Sequence, residues 1–294
     1  MRPATMRHIV VAVVSSLVFA APAMAIDLTP LWDFSRPDIS EQRFRAALAT
    51  ASGDDALILQ TQIARSYGLR KDFAKARELL ASLEPQIKTA GAEARVRFAL
   101  ELGRSHASAT HPPATQTAEA KALARRSFGQ ALALARAAGL DGLAIDAIHM
   151  FAFIDTAPAD QLTWAQQALA VVEASTQPAA KAWEASIRNN LGMALHGLGR
   201  FDEALMQFRQ ALAVRERGGN AERVRVAHWM VAWTLRAMKR DDEALAIQLR
   251  LEREGDAAGQ PDPYVFEELE ILYRNKGDAT RAASYAERRK TLAK

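Results

Sequence analysis

The chain has 294 residues, of which 49% are hydrophobic and 24% are charged. Much of the apolar content is alanine and only 7% of the residues are aromatic, a composition that favours closely packed helices over sheets. The chain has no cysteine, which excludes disulfides, and its formal net charge of +4, with acids and bases mixed along the sequence, does not indicate a nucleic-acid partner. We therefore expect an all-α protein.

Residues 1–25 have the pattern of a secretory signal peptide. Two arginines precede the apolar run 9–21, which is followed by the small-x-small cleavage site Ala23-Met24-Ala25. A run of about 13 residues is too short to span a bilayer comfortably, so a permanent anchor is the less favoured alternative. The pattern predicts cleavage after Ala25 and a periplasmic or secreted protein without a stable membrane span, whether translation starts at Met1 or Met6.

The next segment, residues 26–39, is expected to be extended, because Pro30 and Pro37 bracket it. Trp32 and Phe34 within it are predicted to dock onto the first helices, and a disordered tail is the alternative. The helical domain is then expected to run over residues 40–294.

The clearest pattern lies in residues 190–212 and predicts two helices packed across a short turn. Gly192 and Ala204 lack bulk, so that the helices can approach closely, while a phenylalanine at 208 fills the space beside them. Gly199 can adopt the left-handed conformation that closes the first helix. Weaker copies of the pattern occur in residues 63–83, 231–251 and 273–282, and a degenerate stretch whose register the sequence does not fix lies between Leu102 and Ser175.

This spacing resembles one tetratricopeptide repeat, because small packing residues, a turn glycine and large knobs occur at Leu191, Gly192, Leu195, Gly199, Phe201, Ala204, Phe208, Ala211 and Leu212. The segment departs from the family at Arg188, where the family has tryptophan, and at Glu216, where it has proline. The resemblance covers most of the chain from about Ser40 and is strongest over 185–294. It implies an α-solenoid of antiparallel helix pairs, wound as a right-handed superhelix, with a role in protein interaction.

An insertion interrupts one of the degenerate repeats. The stretch from His111 to Thr117 contains two prolines and a threonine cluster, which cannot continue a helix, so we expect a loop that projects from the stack. His106 and His111 are interpreted as solvated loop residues, and His149, on an apolar helix, as a packed or groove-lining residue. Because no histidine pair has the spacing of a helical zinc site, we expect no metal and no cofactor.

The sequence also lacks the motifs of an enzyme. No serine lies in a nucleophile elbow, and carboxylate pairs such as Asp241-Asp242 occur at helix starts, where the helix dipole stabilises negative charge. The interpretation is a protein that is not an enzyme. A hydrolase whose residues converge only in three dimensions is a weaker alternative.

The remaining candidate for function is a surface. In a stack of helix pairs the first helices line the concave side, and residues not used for packing are exposed there. Trp229, Trp233 and Arg236 are spaced i, i+4 and i+7, and two aromatics with a guanidinium are typical of an anchor for a partner. In the competing interpretation the two tryptophans only fill space between neighbouring first helices. The candidate groove residues are Asn189, Met193, His196, Trp229, Trp233, Arg236, Tyr264 and Arg274.

The sequence therefore favours a scaffold of the cell envelope that binds a protein or peptide in this groove. The alternative is an envelope protein that binds a small ligand or a glycan, with Trp229 and Trp233 as a stacking platform and with Asn189 and Arg236 as hydrogen-bonding groups. A long open channel would favour a peptide, and a closed pocket around the tryptophans would favour a small ligand. Neither the identity of the partner nor the oligomeric state is encoded in a visible motif.

Overall fold

A computed structural model describes residues 26–292, and within that range helices are the only regular secondary structure. The predicted signal peptide lies outside the described residues. None of the described helices combines the length and the apolar character needed to cross a membrane.

The α-helices are α1 (Pro37–Leu48), α2 (Gly53–Leu69), α3 (Phe73–Ile87), α4 (Ala92–His106), α5 (Ala118–Ala137), α6 (Asp141–Phe151), α7 (Pro158–Ala174), α8 (Pro178–Lys181), α9 (Glu184–Gly197), α10 (Phe201–Arg217), α11 (Ala221–Ala237), α12 (Asp241–Ala257), α13 (Pro263–Asn275) and α14 (Ala279–Leu292). Short 3-10 turns occur at Thr29–Leu31 and Pro113–Thr115.

The helices stack as successive pairs, in which α2 packs on α3, α4 on α5, α6 on α7, α9 on α10, α11 on α12 and α13 on α14. The first helices of neighbouring pairs also meet, since α2 contacts α4, α4 contacts α6 and α11 contacts α13. Helix α1 packs on α2 at the N-terminal end of the stack. The buried apolar side chains form a row of clusters along the stack instead of one central core, as expected of a solenoid. The predicted all-α solenoid is confirmed.

Two glycines allow the helices of a pair to approach closely. A Cβ atom added at Gly192 of α9 would lie 2.7 Å from Cε1 of Phe208 on α10, and one added at Gly103 of α4 would lie 2.3 Å from Cε1 of Phe128 on α5. Both phenylalanine side chains are fully buried. The close contact predicted for residues 190–212 is therefore present and recurs in the pair α4–α5.

Four of the six turns between the helices of a pair, those of α2–α3, α9–α10, α11–α12 and α13–α14, share one geometry. The residue at the turn has a left-handed backbone, with φ of 74° at Gly199 and 76° at Gly277, but also 65° at Lys71 and 62° at Lys239. The residue that follows each of these donates its backbone amide to the carbonyl five residues before it. The Asp72 amide nitrogen, for example, lies 2.9 Å from the Tyr67 carbonyl oxygen. These are Schellman ends, in which glycine is usual because it has no Cβ.

The N-terminal segment differs from the extended conformation that we predicted for 26–39. A 3-10 turn forms at Thr29–Leu31 and α1 already begins at Pro37, because proline has a fixed helical φ and no amide hydrogen to satisfy in a first turn. Trp32 docks as expected: its ring lies edge-on to Phe44 with centroids 4.8 Å apart, and its Nε1 donates to Gln62 Oε1 at 3.3 Å. Phe34 stacks on Trp32 but is 59% exposed.

The insertion after α4 begins by folding back onto the stack, while residues 112–115 are exposed. The interpretation of His111 as a solvated residue is wrong. Its ring is buried and stacks on Phe73 of α3, with centroids 3.5 Å apart. Ser108 Oγ lies 2.9 Å from His111 Nδ1, and Thr110 Oγ1 donates to the Gly68 carbonyl at 3.4 Å. The prolines end the helix, but burial of the imidazole against a phenyl ring folds the loop back onto the ends of α2 and α3.

Candidate ligand groove

Two adjoining cavities lie along the first helices in the middle of the stack. The first, which we term the polar chamber, measures about 230 Å³ and is lined mainly by α2, α4, α6 and the folded-back loop. The second, the apolar chamber, measures about 200 Å³ and lies between α6, α7 and α9. His149 and Phe153 line both chambers and form the wall between them.

An ionic cluster lines the polar chamber. Arg104 on α4 bridges two carboxylates: its Nη1 donates to Glu101 one turn earlier, and its Nη2 donates to Asp146 on α6. Burial alone would lower the pKa of Arg104, but the two carboxylates outweigh it and raise that pKa above its usual value. Burial would raise the pKa of Asp146, and the neighbouring guanidiniums reverse this and lower it. The bridge therefore stays fully ionised and ties α4 to α6.

Arg65 on α2 is the fourth member of the cluster, and its bonding is different. Its Nη1 is 3.8 Å from Glu101 Oε1, too far for a hydrogen bond, and it makes no hydrogen bond to any residue in the range 26–292. Its Cζ lies 5.5 Å from the ring centroids of both Trp32 and Phe34. Burial, and then the charge of Arg104, lower the pKa of Arg65. Arg65 thus lies near the carboxylate of Glu101 without a hydrogen bond to it, and its side chain is 25% exposed.

The wall between the chambers is held by a hydrogen bond between helices α6 and α9. Asn190 Nδ2 lies 3.0 Å from His149 Nδ1, and the His149 ring is edge-on to Phe153 with centroids 5.0 Å apart. Burial lowers the pKa of His149, so that the ring is neutral near pH 7. With Nδ1 accepting from the amide, the ring proton is assigned to Nε2.

The apolar chamber has mostly hydrophobic walls. They are formed by Ala152, Phe153, Trp164, Ala165, Ala168, Ile187 and Met193, and the polar lining comprises His149, Gln161 and Asn190. Trp164 Nε1 donates to Asp155 Oδ2 at 3.0 Å and Gln161 Nε2 to the Ala152 carbonyl at 3.2 Å, so that both polar tips are satisfied within the protein. The chamber is therefore suited to an apolar side chain with one amide, that of Asn190, at its edge.

Of the eight predicted groove residues, Met193 is the one that lines the apolar chamber, where it is 44% exposed. Four others form an aromatic ladder further along the stack. His196 stacks on Trp233 with centroids 3.4 Å apart, Trp233 stacks on Trp229 at 5.8 Å, and Trp229 meets Tyr264 edge-on at 6.3 Å. Burial lowers the pKa of His196 to about 4, with a smaller contribution from the charge of Arg236.

The two tryptophans of this ladder are half-buried and also pack against the core between α9, α11 and α13. Trp229 lines a hollow of about 290 Å³ between α11, α12 and α13, to which Trp233 does not contribute. Tyr264 is 64% exposed, so the ladder ends in an open aromatic ring.

The polar members of the predicted stripe are less available than the sequence indicated. Arg236 Nε and Nη2 donate to the carboxylate of Glu268 at 2.7 and 2.8 Å, and Glu268 is only 3% exposed. Arg274 is exposed and donates to Glu270 at 2.5 Å, and Asn189 is half-buried on α9. Arg236 is therefore part of an ion pair between α11 and α13, where the sequence had indicated a free guanidinium.

The ionic cluster was not predicted, although the repeat register contained a signal for it. Met193 directly follows Gly192, and in the matching repeats Arg104 follows Gly103 and Arg65 follows Ala64. Carrying the groove position of Met193 upstream along this register would have led to both arginines. No group of three or more histidine, aspartate or glutamate side chains suited to a metal ion occurs within residues 26–292.

Comparison with known proteins agrees with this architecture. Residues 183–252 match the family model "Tetratricopeptide repeat", and this range covers α9, α10, α11 and most of α12. No curated protein matches the chain. The resemblance to a tetratricopeptide repeat that the sequence indicated is thus confirmed for residues 183–252.

One solved structure with the same fold is a signal-transduction ATPase of the STAND type from Pyrococcus horikoshii, which has a tetratricopeptide repeat sensor. It matches 87% of this chain with a TM-score of 0.65 and 14% sequence identity, and the match spans 39% of the ATPase. A Rap protein complexed with Competence and Sporulation Factor has a TM-score of 0.54 and 16% identity over 89% of this chain and 71% of its own. NprR in complex with its cognate peptide NprX has a TM-score of 0.53 and 11% identity over 91% of this chain and 77% of its own. At these identities the likeness shows the fold alone.

Proposed function

We propose that this protein is a non-enzymatic scaffold that binds a peptide, or an extended segment of a partner protein, in the groove along its first helices. The observation that carries the proposal is the pair of adjoining chambers of about 230 and 200 Å³, which follow one another along α2, α4, α6 and α9 and share only a side-chain wall. A row of adjoining hollows suits an elongated ligand better than a compact one.

Two proteins of the same fold support this choice of ligand by analogy. The Rap protein was solved with Competence and Sporulation Factor and NprR with its cognate peptide NprX. Fold alone does not fix function, so the proposal rests mainly on the lining of the groove in this chain.

The proposal is tested by selecting peptides that bind the protein from a displayed library of random sequences. Met193 in the apolar chamber and Met206 on α10 are 44% and 50% exposed, but Met206 is not part of either chamber. We expect selected peptides to lose at least tenfold in affinity for Met193→Glu, because a charge then occupies an apolar wall. Met206→Glu is the matched control and should bind as the natural chain does. Failure to select any peptide, or equal losses in both variants, would contradict a peptide groove.

We further propose that the scaffold acts in the cell envelope, as a periplasmic or secreted protein. The support is the charged start, short apolar run and Ala23-Met24-Ala25 site of the first 25 residues. The expected mature N-terminus is Ile26, which mass spectrometry of the protein from its native host would show. Recovery of the protein from the cytoplasm with Met1 or Met6 still at its N-terminus would overturn the proposal.

A further inference from the structure

We propose that the hollow of about 290 Å³ at Trp229 binds a lysine or arginine side chain of a partner protein. This hollow, which we term the cation hollow, lies between α11, α12 and the connection from α12 to α13. It shares no lining residue with the polar or the apolar chamber, so the proposal goes beyond the peptide groove and does not depend on it. It is carried by an aromatic and apolar wall that stands beside two carboxylates without an ion pair in the described part of the chain.

The wall of the cation hollow suits the long apolar stem of a basic side chain. Trp229 lines it together with Val226, which is 47% exposed, and with the buried side chains of Leu251 and Val265. The exposed ring of Tyr264 is edge-on to Trp229. Lysine and arginine bury their methylene stems along such surfaces and keep the charged end in water. A cation near a tryptophan or tyrosine ring is also attracted by the negative face of that ring.

Two carboxylates of the lining are available to the charged end. Glu222, in the first turn of α11, is exposed, and Asp262 is half-buried. Asp262 Oδ1 accepts from the Tyr264 amide at 2.8 Å, as the N-cap of α13. Neither carboxylate forms an ion pair with a residue in the range 26–292, whereas most other acidic residues between α11 and α14 are paired with arginine or lysine.

Arg225 is the one positive side chain among the described residues that line the hollow, and it does not pair with these carboxylates. It follows Glu222 by three positions on α11, where an ion pair could form. Its Nη2 instead donates to Gln260 Oε1 at 3.0 Å. Two carboxylates therefore oppose one guanidinium in the lining, and this balance favours a cation over an anion.

NMR titration of the tryptophan indole N–H signals with small amides tests the proposal. The probes are the N-acetyl N-methylamides of lysine and arginine, and their neutral counterparts made from norleucine and citrulline. The chain has five tryptophans, and the signal lost in Trp229→Phe is that of Trp229. We expect the basic probes to shift this signal and to bind at least fivefold more tightly than the neutral ones, with a preference that weakens at high salt because the ionic contact is exposed.

Variants of the lining should change the ratio of basic to neutral affinity in opposite directions. Glu222→Gln and Asp262→Asn should each lower the ratio about threefold, and asparagine keeps the N-cap of α13. Arg225→Gln should raise the ratio about threefold, because it removes a competing cation. Glu119→Gln, which replaces an exposed acid in the first turn of α5, is the matched control and should leave the ratio unchanged.

Equal binding of the basic and neutral probes would overturn the proposal, and so would a ratio that Glu222→Gln and Asp262→Asn leave unchanged. If these carboxylates only stabilise the fold, their substitution would lower the melting temperature and weaken both kinds of probe alike, which would also count against the site.

The outcomes separate the cation hollow from the proposed peptide groove. If selected peptides bind through Met193 but the hollow has no preference for a basic probe, the peptide groove stands and the cation hollow is wrong. If no peptide can be selected but the basic probes bind at Trp229 as expected, the cation hollow stands and the peptide groove is wrong.

Discussion

The ring of Phe128 lies where a side chain at Gly103 would have to be: a Cβ atom there would be 2.3 Å from Cε1, 2.6 Å from Cδ1 and 2.9 Å from Cζ of the phenylalanine. The same relationship joins Phe208 to Gly192, with the nearest ring atom at 2.7 Å. In both pairs the first helix has a glycine, without a side chain, at the point where the phenylalanine of the second helix packs against it. Shape complementarity, together with the area buried, sets the spacing of these helices.

Substitution of these glycines should therefore destabilise the fold even though alanine is the better helix former. We expect Gly103→Ala and Gly192→Ala each to lower the free energy of unfolding by about 1–3 kcal/mol, because the buried rings cannot move aside. Gly129→Ala on α5 is the control, since nothing lies within 4 Å of its added Cβ; it should stabilise by about 0.5–1 kcal/mol. Urea denaturation measures all three, and equal effects at the three positions would refute this account of packing.

At the Schellman turns we expect substitution by glycine to increase stability. Lys71 and Lys239 have left-handed backbones at positions where Gly199 and Gly277 fill the same role. Because a Cβ atom is strained there, Lys71→Gly and Lys239→Gly should each stabilise the protein by about 1 kcal/mol. The reverse change, Gly199→Lys, should destabilise it by a similar amount. Thermal unfolding followed by circular dichroism is the measurement, and a loss of stability in Lys71→Gly would show that the lysine makes a contact that outweighs the strain.

The ion pair of Arg236 and Glu268 should matter for stability more than the exposed ion pairs. Arg236→Gln leaves a carboxylate that is 3% exposed without its two charged donors, so we expect a loss of about 3 kcal/mol. Arg240→Gln breaks the pair with Glu243, whose side chain is 53% exposed, and should cost less than about 1 kcal/mol. Adding Glu268→Gln to Arg236→Gln should restore part of the loss. Equal melting temperatures for Arg236→Gln and Arg240→Gln would show that Arg236 is not part of a buried ion pair with Glu268.

Acid should weaken the fold through its histidines. Burial is the main cause that lowers the pKa of His106, His111, His149, His196 and His228. The folded state therefore favours the neutral ring, while unfolded histidine takes up its proton near the usual value of 6.5. Stability from these groups is complete above pH 6.5 and is lost as the pH falls towards the folded values, which for His196 is about 4.

Urea unfolding at pH 7.5, 6.5, 5.5 and 4.5 measures this loss before most carboxylates protonate. We expect the free energy of unfolding to decrease at each step below pH 6.5, and His196→Phe, which keeps a ring on Trp233, to reduce the slope. The NMR titration of the His196 ring should have its midpoint near pH 4. A flat or rising stability over this range would contradict the burial of these rings.

The parts of the fold that the sequence predicts are those that depend on residues within a single repeat. Gly192, Phe208 and Gly199 define a helix pair by local spacing, and the structure has that pair as α9 and α10. Such features act over a few residues, so one sequence is enough to show them.

The features that were missed depend on contacts between repeats. The loop after α4 was expected to project, but His111 finds Phe73 on a helix of the preceding pair. The Arg65, Arg104 and Asp146 side chains come from three helices. The repeat register places both arginines at the groove position, but no pattern within one repeat shows that they lie beside Asp146. In the same way, the sequence indicated an unpaired guanidinium at Arg236, because its partner Glu268 lies on another helix.

The wall made by His149 and Phe153 has a consequence for the length of ligand that the groove admits. Because both residues line both chambers, a shift of either ring would alter the passage between the chambers. The His149 ring is held by the hydrogen bond from Asn190 and by its contacts with Phe153 and Trp183. A substitution at any of these three neighbours would therefore change how the groove is divided.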